Sequence, residues 1–234
     1  PIISENICWI NQNALAYVVR KGAITMKIFI AGATGRVGEE LTKNLVKQGH
    51  FVYAGARHEE NITKSEEVEP VHLDMHGTID EIAETLNDAE AVYFVAGSRG
   101  KDLLQTDLFG AVKLMQAVEQ KGIKRYIHLS SLFALQPEKW GTALTDYNIA
   151  KFFSDNWLID KTNLDYTILQ PGSLLETPGS GNITTNVTGK TENSIEDVAL
   201  VLAGLLKQDN TIKKIILMGL SLIHISEPTR RRGI

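Results

Sequence analysis

Seven short apolar runs, separated by segments with helical spacing, predict an α/β fold: a parallel sheet doubly wound by helices, with a small C-terminal lobe. Two further observations support it. Runs such as AVYFVAG at 91–97 are apolar at consecutive rather than alternate positions, as strands covered on both faces must be. Three glycines at 32, 35 and 38 fall between the first run and the first helical segment, where a strand has to turn sharply into a helix.

The elements follow in order. KIFIA (27–31) leads through the glycines into a helix over 36–48, stopped by Gly49, and FVYAGA (51–56) leads into a polar loop. VEPVHLD (68–74) precedes a helix over 78–86, and AVYFVAG precedes one over 103–121 that ends at Gly122. RYIHLSS (125–131) is followed by a helix over 147–161 and DYTILQP (165–171) by one over 195–207, with KIILM (214–218) as the final strand. Ser194 and Asp197 form a capping-box-like start for the last helix. The connections at 132–146 and 173–193 are long for this architecture and are expected to serve as substrate loops.

With 234 residues, 43% hydrophobic content and 22% charge, the chain has the composition of one sizeable globular domain. Residues 26–219 carry it. The segment 1–25 lacks the features of a secretory signal, and KGAIT before Met26 is translatable from a bacterial ribosome-binding sequence, so 1–25 is expected to be a non-native leader. The tail 220–234, LSLIHISEPTRRRGI, resembles translated sequencing-adapter text and is likewise expected to be foreign. A net charge of -4, with Arg230, Arg231 and Arg232 as the only basic cluster, argues against a nucleic-acid partner. One cysteine, Cys8, and the lack of an apolar run long enough for a membrane span point to the cytoplasm and away from the membrane.

The glycine turn reads GATGRVG, Gly32 to Gly38, with Ala33, Thr34, Arg36 and Val37 between the glycines. A backbone without side chains at a helix N-terminus can approach a pyrophosphate closely, so the fold expected is a Rossmann-type dinucleotide-binding domain. An acid at the end of the second strand would bond a ribose 2′-hydroxyl, whereas an arginine suits a 2′-phosphate. That position is Arg57, so NADP is expected over NAD, with Arg36 as a second cation.

The ordered set GATGRVG, Arg57, LDM (73–75), VAG (95–97), HLSS (128–131), YNIAK (147–151) and QPGS (170–173) resembles the short-chain dehydrogenase/reductase superfamily. It is most similar to the atypical branch of small NAD(P)-binding, NmrA-like and flavin-reductase-like proteins. The resemblance implies that Asp74 and Met75 flank the adenine, that Ala96 and Gly97 lie against ribose and phosphates, and that Pro171, Gly172 and Ser173 border the nicotinamide. Asp107 and Gly110, in the helix that supports such domains, are expected to serve packing.

Tyr147 and Lys151 stand one helical turn apart and share a face, so the ammonium can lower the pKa of the phenol. The resemblance makes Tyr147 the proton donor, Ser131 the group that holds the substrate oxygen, and Lys151 a ligand of the nicotinamide ribose. Two departures from the superfamily pattern are the unusual segment 132–146 and Gln170 where similar chains often carry arginine. His72 and His76 flank Asp74 at a strand end, where their spacing does not converge on a metal. Trp140 is a candidate either to cover a substrate ring or to pin its loop. No GxSxG or GxxxxGK[ST] motif is present.

The function expected is hydride transfer between NADP(H) and a small carbonyl, quinone or flavin-like substrate. The alternative is a non-catalytic NADP(H)-binding redox sensor that acts on a protein partner. A nucleotide-sugar epimerase is expected to need a larger C-terminal lobe.

Overall fold

The computed structural model describes residues 26–220 and the backbone of Ile2–Ile3. Of the expected leader and tail, residue 1, residues 4–25 and residues 221–234 lie outside the described residues. Elements are β1 (Ile2–Ile3), β2 (Lys27–Ala31), α1 (Arg36–Lys47), β3 (Phe51–Ala56), β4 (Val68–His72), α2 (Ile79–Thr85) and β5 (Ala91–Phe94). They continue with a π-helical segment (Leu103–Gly110), α3 (Ala111–Gln120), β6 (Arg125–Leu129), α4 (Thr145–Lys161), β7 (Asp165–Pro171), β8 (Ser173–Leu175), β9 (Ile183–Thr184), β10 (Glu192–Ser194), α5 (Ile195–Leu205) and β11 (Lys214–Leu220).

The sheet runs β1-β11-β7-β6-β5-β2-β3-β4, parallel throughout, with β9 antiparallel on β11. The order reverses between β2 and β5, because the chain first winds outward through β3 and β4 and then returns to the other side of β2. Strands β2, β3, β4, β5, β6, β7 and β11 feed both faces. Ile28 and Ile30 of β2 join one core with Leu41 and Leu45 of α1 and Val198 and Leu202 of α5. Phe29 and Ala31 join the other with Ile82 of α2, Leu114 of α3 and Leu158 of α4. Burial on both sides is why the strand sequences do not alternate.

Helix α1 buries Val37, Gly38, Leu41 and Leu45, a stripe at helical spacing. Gly49 and Gly122 take positive φ, +82° and +73°, just past the helices they terminate. Ser194 accepts a hydrogen bond from the Asp197 amide, as the capping pattern predicts. A complete capping box, Thr78 with Glu81, opens α2 and is an addition to the sequence reading.

One expectation about regular structure is corrected. The single helix over 103–121 begins instead as π-helix to Gly110 before continuing as α3. Gly110 packs so closely on the Gln105 carbonyl oxygen and on Met75 that a Cβ would stand 2.7 and 3.0 Å from them, which only glycine avoids. The long connection 173–193 carries the short strands β8, β9 and β10. β8 and β10 pair in parallel, and the carboxylates of Glu196 and Asp197 accept hydrogen bonds from the amides of Gly179, Ser180 and Gly181.

Candidate cofactor and active site

A parallel sheet delivers all its strand ends to one edge, so the expected site residues converge although 141 positions separate Gly32 from Ser173. The glycine turn follows β2, Arg57 follows β3, Ala96 and Gly97 follow β5, Ser131 follows β6, and Pro171 to Ser173 follow or end β7. The switch in strand order puts the turns after β2 and β5 side by side.

Gly32 has φ +99°, and a Cβ there would lie 2.6 Å from the Cα of Ala96. The turn is held from below, with the amides of Gly32 and Ala33 donating to the Gly55 carbonyl at 2.9 and 3.0 Å. A Cβ on Gly38 would fall against the Gly32 carbonyl oxygen and 2.8 Å from Ala33 Cα, so this third glycine brings the helix onto the turn. Gly35 caps α1 without any side-chain bond, and the first-turn amides of Arg36, Val37 and Gly38 have no partner within the helix. Thr34 and Arg36 are exposed while Ala33 and Val37 are buried, so what the turn offers outward is backbone N–H and the positive end of the helix. That cradle fits a diphosphate.

Arg57 is exposed at the β3 end. Asp102 opposite is held below the usual carboxylate range by hydrogen bonds from Thr106 and His76, with the charge of Arg57 adding. Arg36 is instead engaged: its Nη1 donates to Glu176 Oε1 at 3.0 Å, tying the glycine turn to the segment after β8. Asp74 is exposed and accepts from the His76 amide at 2.9 Å, whereas the Met75 side chain is 5% exposed and packs under Gly110. His72 and His76 face different partners, Glu59 at 2.8 Å and Asp102 at 2.6 Å. Asp107 does more than pack: fully buried, it accepts from the Ser98 amide at 3.0 Å and so fixes the loop after Gly97.

On the other side of the edge, Tyr147 and Lys151 lie as their spacing predicts, with Lys151 Nζ 5.8 Å from the Tyr147 ring centroid and 5.2 Å from that of Phe94. Lys151 is only 2% exposed, and its Nζ donates to the Leu129 carbonyl at 3.2 Å, at the end of β6. Ser131 and Tyr147 are half-buried. The Leu132 amide donates to the Pro171 carbonyl at 2.9 Å, which joins the ends of β6 and β7. Gly172 donates to the Met218 carbonyl and to Asn193 Oδ1, and the exposed Ser173 begins β8. Trp140 pins its loop: Nε1 donates to the Phe133 carbonyl at 2.9 Å and the ring meets Phe152 edge-on.

Sequence reasoning missed a buried polar group one helical turn beyond Lys151. Asp155 Oδ2 accepts from Ser130 Oγ at 2.6 Å and from Gln170 Nε2 at 2.9 Å, and His128 Nε2 stands 3.4 Å from Asp155 Oδ1. Asp155 continues the four-residue spacing of Tyr147 and Lys151, and that spacing was the signal available.

A doubly wound parallel sheet with a glycine cradle at its switch point defines a Rossmann-type dinucleotide-binding protein. Residues 32–209 match the NAD(P)H-binding family, and the chain belongs to it, in accord with the atypical short-chain dehydrogenase/reductase motifs. A Bacillus subtilis protein described as the uncharacterized sugar epimerase YhfK is 36% identical over 165 residues, 68% of this chain and 77% of that one. The crystal structure of the oxidoreductase ylbE from Lactococcus lactis is 46% identical, covers 84% of this chain and 91% of that chain, and superposes with a TM-score of 0.78. Among the described residues no helix is long and apolar enough to cross a membrane.

Proposed function

We propose that this NAD(P)H-binding protein is an NADP(H)-dependent oxidoreductase acting on a small carbonyl, quinone or flavin-like molecule. The observation that carries the reading is the pairing of Tyr147 with a buried Lys151 at the same sheet edge as the glycine cradle. The oxidoreductase name of the Lactococcus lactis relative agrees with it.

When bound, the nicotinamide supplies or accepts hydride. The protein's own part is to orient and to move a proton. Ser131 Oγ donates a hydrogen bond to the substrate oxygen, and Tyr147 Oη gives that oxygen its proton on reduction or takes it on oxidation. The Lys151 ammonium favours the phenolate that remains and bonds the nicotinamide ribose. Reduction of a C=O group thus consumes one hydride and one proton and forms one alcohol. Arg57 supports NADP over NAD because its guanidinium is in no ion pair among the described residues. The lobe built from β8, β9 and β10 is small, which favours a small substrate over a nucleotide sugar.

Calorimetry of the full chain with NADPH and NADH, followed by NADPH oxidation in the presence of quinones, aldehydes and free flavin, tests the reading. Tyr147→Phe is expected to keep NADPH binding and to lose about 10²- to 10⁴-fold in kcat. Heat with neither coenzyme sinks the proposal. Binding with no turnover by the wild type on any acceptor selects the redox-sensor role instead.

A further inference from the structure

Lys151, His128 and Asp155 are three titratable groups at 2%, 0% and 0% exposure, packed between β6, β7 and α4. Burying an isolated ammonium costs several kcal/mol unless a counter-charge and hydrogen bonds offset it. The Lys151 ammonium donates to a neutral carbonyl, that of Leu129. Its charge acts on both Asp155 and His128, and of these two only the carboxylate is attractive.

We propose that Asp155 is a positioning residue of the Ser131–Tyr147–Lys151 site: the buried counter-charge of Lys151 and, through Ser130 and Gln170, the anchor of the β6 and β7 ends. The inference rests on the oxidoreductase reading above. Two geometric facts carry it. Lys151 and Asp155 stand one turn apart on the inner face of α4, so the same helix that presents Tyr147 presents both charges to the sheet. The carboxylate also clamps two strands, since Ser130 directly precedes Ser131 and Gln170 directly precedes Pro171.

The other groups facing this centre are consistent with that role. Burial, with the charge of Lys151 adding, holds His128 well below its usual range, so it is neutral and does not compete for the carboxylate. Burial raises Asp155 to about 6, against the opposing bonds from Ser130 and Gln170 and the charge of Lys151, so it is ionised at neutral pH. Tyr126 is fully buried and held well above its usual range by burial, with Asp155 adding. Phe94, from β5, stacks on His128 at 5.0 Å and contributes no charge.

Gln170 serves this role as a neutral donor: its Nε2 donates to Asp155 Oδ2 at 2.9 Å, where an arginine would add a second cation.

The test is the titration of the Lys151 side chain in protein labelled with [13Cε]lysine, its resonance assigned by its loss in Lys151→Arg. Asp155→Asn is expected to lower the midpoint by about one pH unit or more, and Asp155→Glu to restore it. An unchanged midpoint in folded Asp155→Asn overturns the proposal, whether or not the protein turns over. Should Asp155→Asn fail to fold, the wild-type resonance is read on the acid side. An inflection there that Ser130→Ala moves to higher pH supports the proposal, and its absence overturns it. In the NADPH–quinone assay, Asp155→Asn is expected to lower kcat about 10-fold or more, leave the KM for NADPH within about threefold, and shift the alkaline limb of the pH profile. Absence of coenzyme binding by the wild type would refute the oxidoreductase reading, a result separate from the lysine titration.

Discussion

At the scale of single residues, the glycines of the first turn do three different things. Gly32 adopts a φ that L side chains rarely take and leaves room for Ala96, Gly35 caps α1 with nothing but backbone, and Gly38 brings the helix against the turn. Gly38→Ala forces the helix outward by the width of a methyl. The expected result is a loss of about 1–3 kcal/mol in denaturant unfolding and a weaker NADPH complex by calorimetry. On the proposed NADP(H) reading, Arg57 acts through its charge. Arg57→Ala is expected to weaken NADPH about 10- to 100-fold and NADH by less than threefold, because a charge-assisted bond to the 2′-phosphate is worth about 1.5–3 kcal/mol. Equal losses for both coenzymes would assign Arg57 a different role. Phe133 has φ +58° just beyond Ser131 and is held there by Trp140, whose indole uses its carbonyl, and by Lys139 over its ring. A bulky residue in this conformation is a local strain beside the proposed chemistry.

At the scale of elements, α4 is the organising piece, because one helix presents Tyr147, Lys151 and Asp155 at successive turns. The π-helical start of the preceding helix brings Asp107 under the loop after β5, where its carboxylate holds the Ser98 amide. The segment after β8 depends on α5 in the same way. Asp197 is capped by Ser194 and accepts from Ser180 and Gly181 at 2.9 Å each, so it joins the helix start to the loop that carries Glu176 toward Arg36. Asp197→Ala removes those charge-assisted bonds and leaves two amides without partners. It is expected to cost about 2–4 kcal/mol and to open 176–181 to limited proteolysis. Unaltered cleavage in a destabilised variant would mean that Asp197 serves the helix alone.

At the scale of the whole molecule, pH acts through the buried groups His50 and Asp155. His50 is 1% exposed, accepts a bond from the Met26 amide, and is lowered to about 4 by burial, with Lys207 adding. The unfolded chain takes up its proton near the usual histidine value, so the folded state is favoured above that pH and loses this advantage as pH falls toward 4. The full effect is about 3 kcal/mol. Asp155 works in the opposite sense, since its raised value makes the folded state lose stability as pH rises through about 6. His50→Gln is therefore expected to flatten the acid side of the stability profile relative to wild type. A parallel profile would show that His50 titrates normally in the folded protein.

The order of strands and helices was legible along the chain because it depends on local hydrophobic period and on punctuation by glycine and by helix caps, all of which act within a few residues. The glycine cradle and the Tyr147–Lys151 pair were legible for the same reason, each lying within one turn or one helix. What only the tertiary structure decided is which distant groups meet. Arg36 is paired with Glu176, Asp107 takes the Ser98 amide, the Met75 side chain is buried, and Asp155 collects Ser130, Gln170 and the charge of Lys151. Sequence spacing carries no record of such meetings, because a carboxylate chooses partners by distance and desolvation in the folded state.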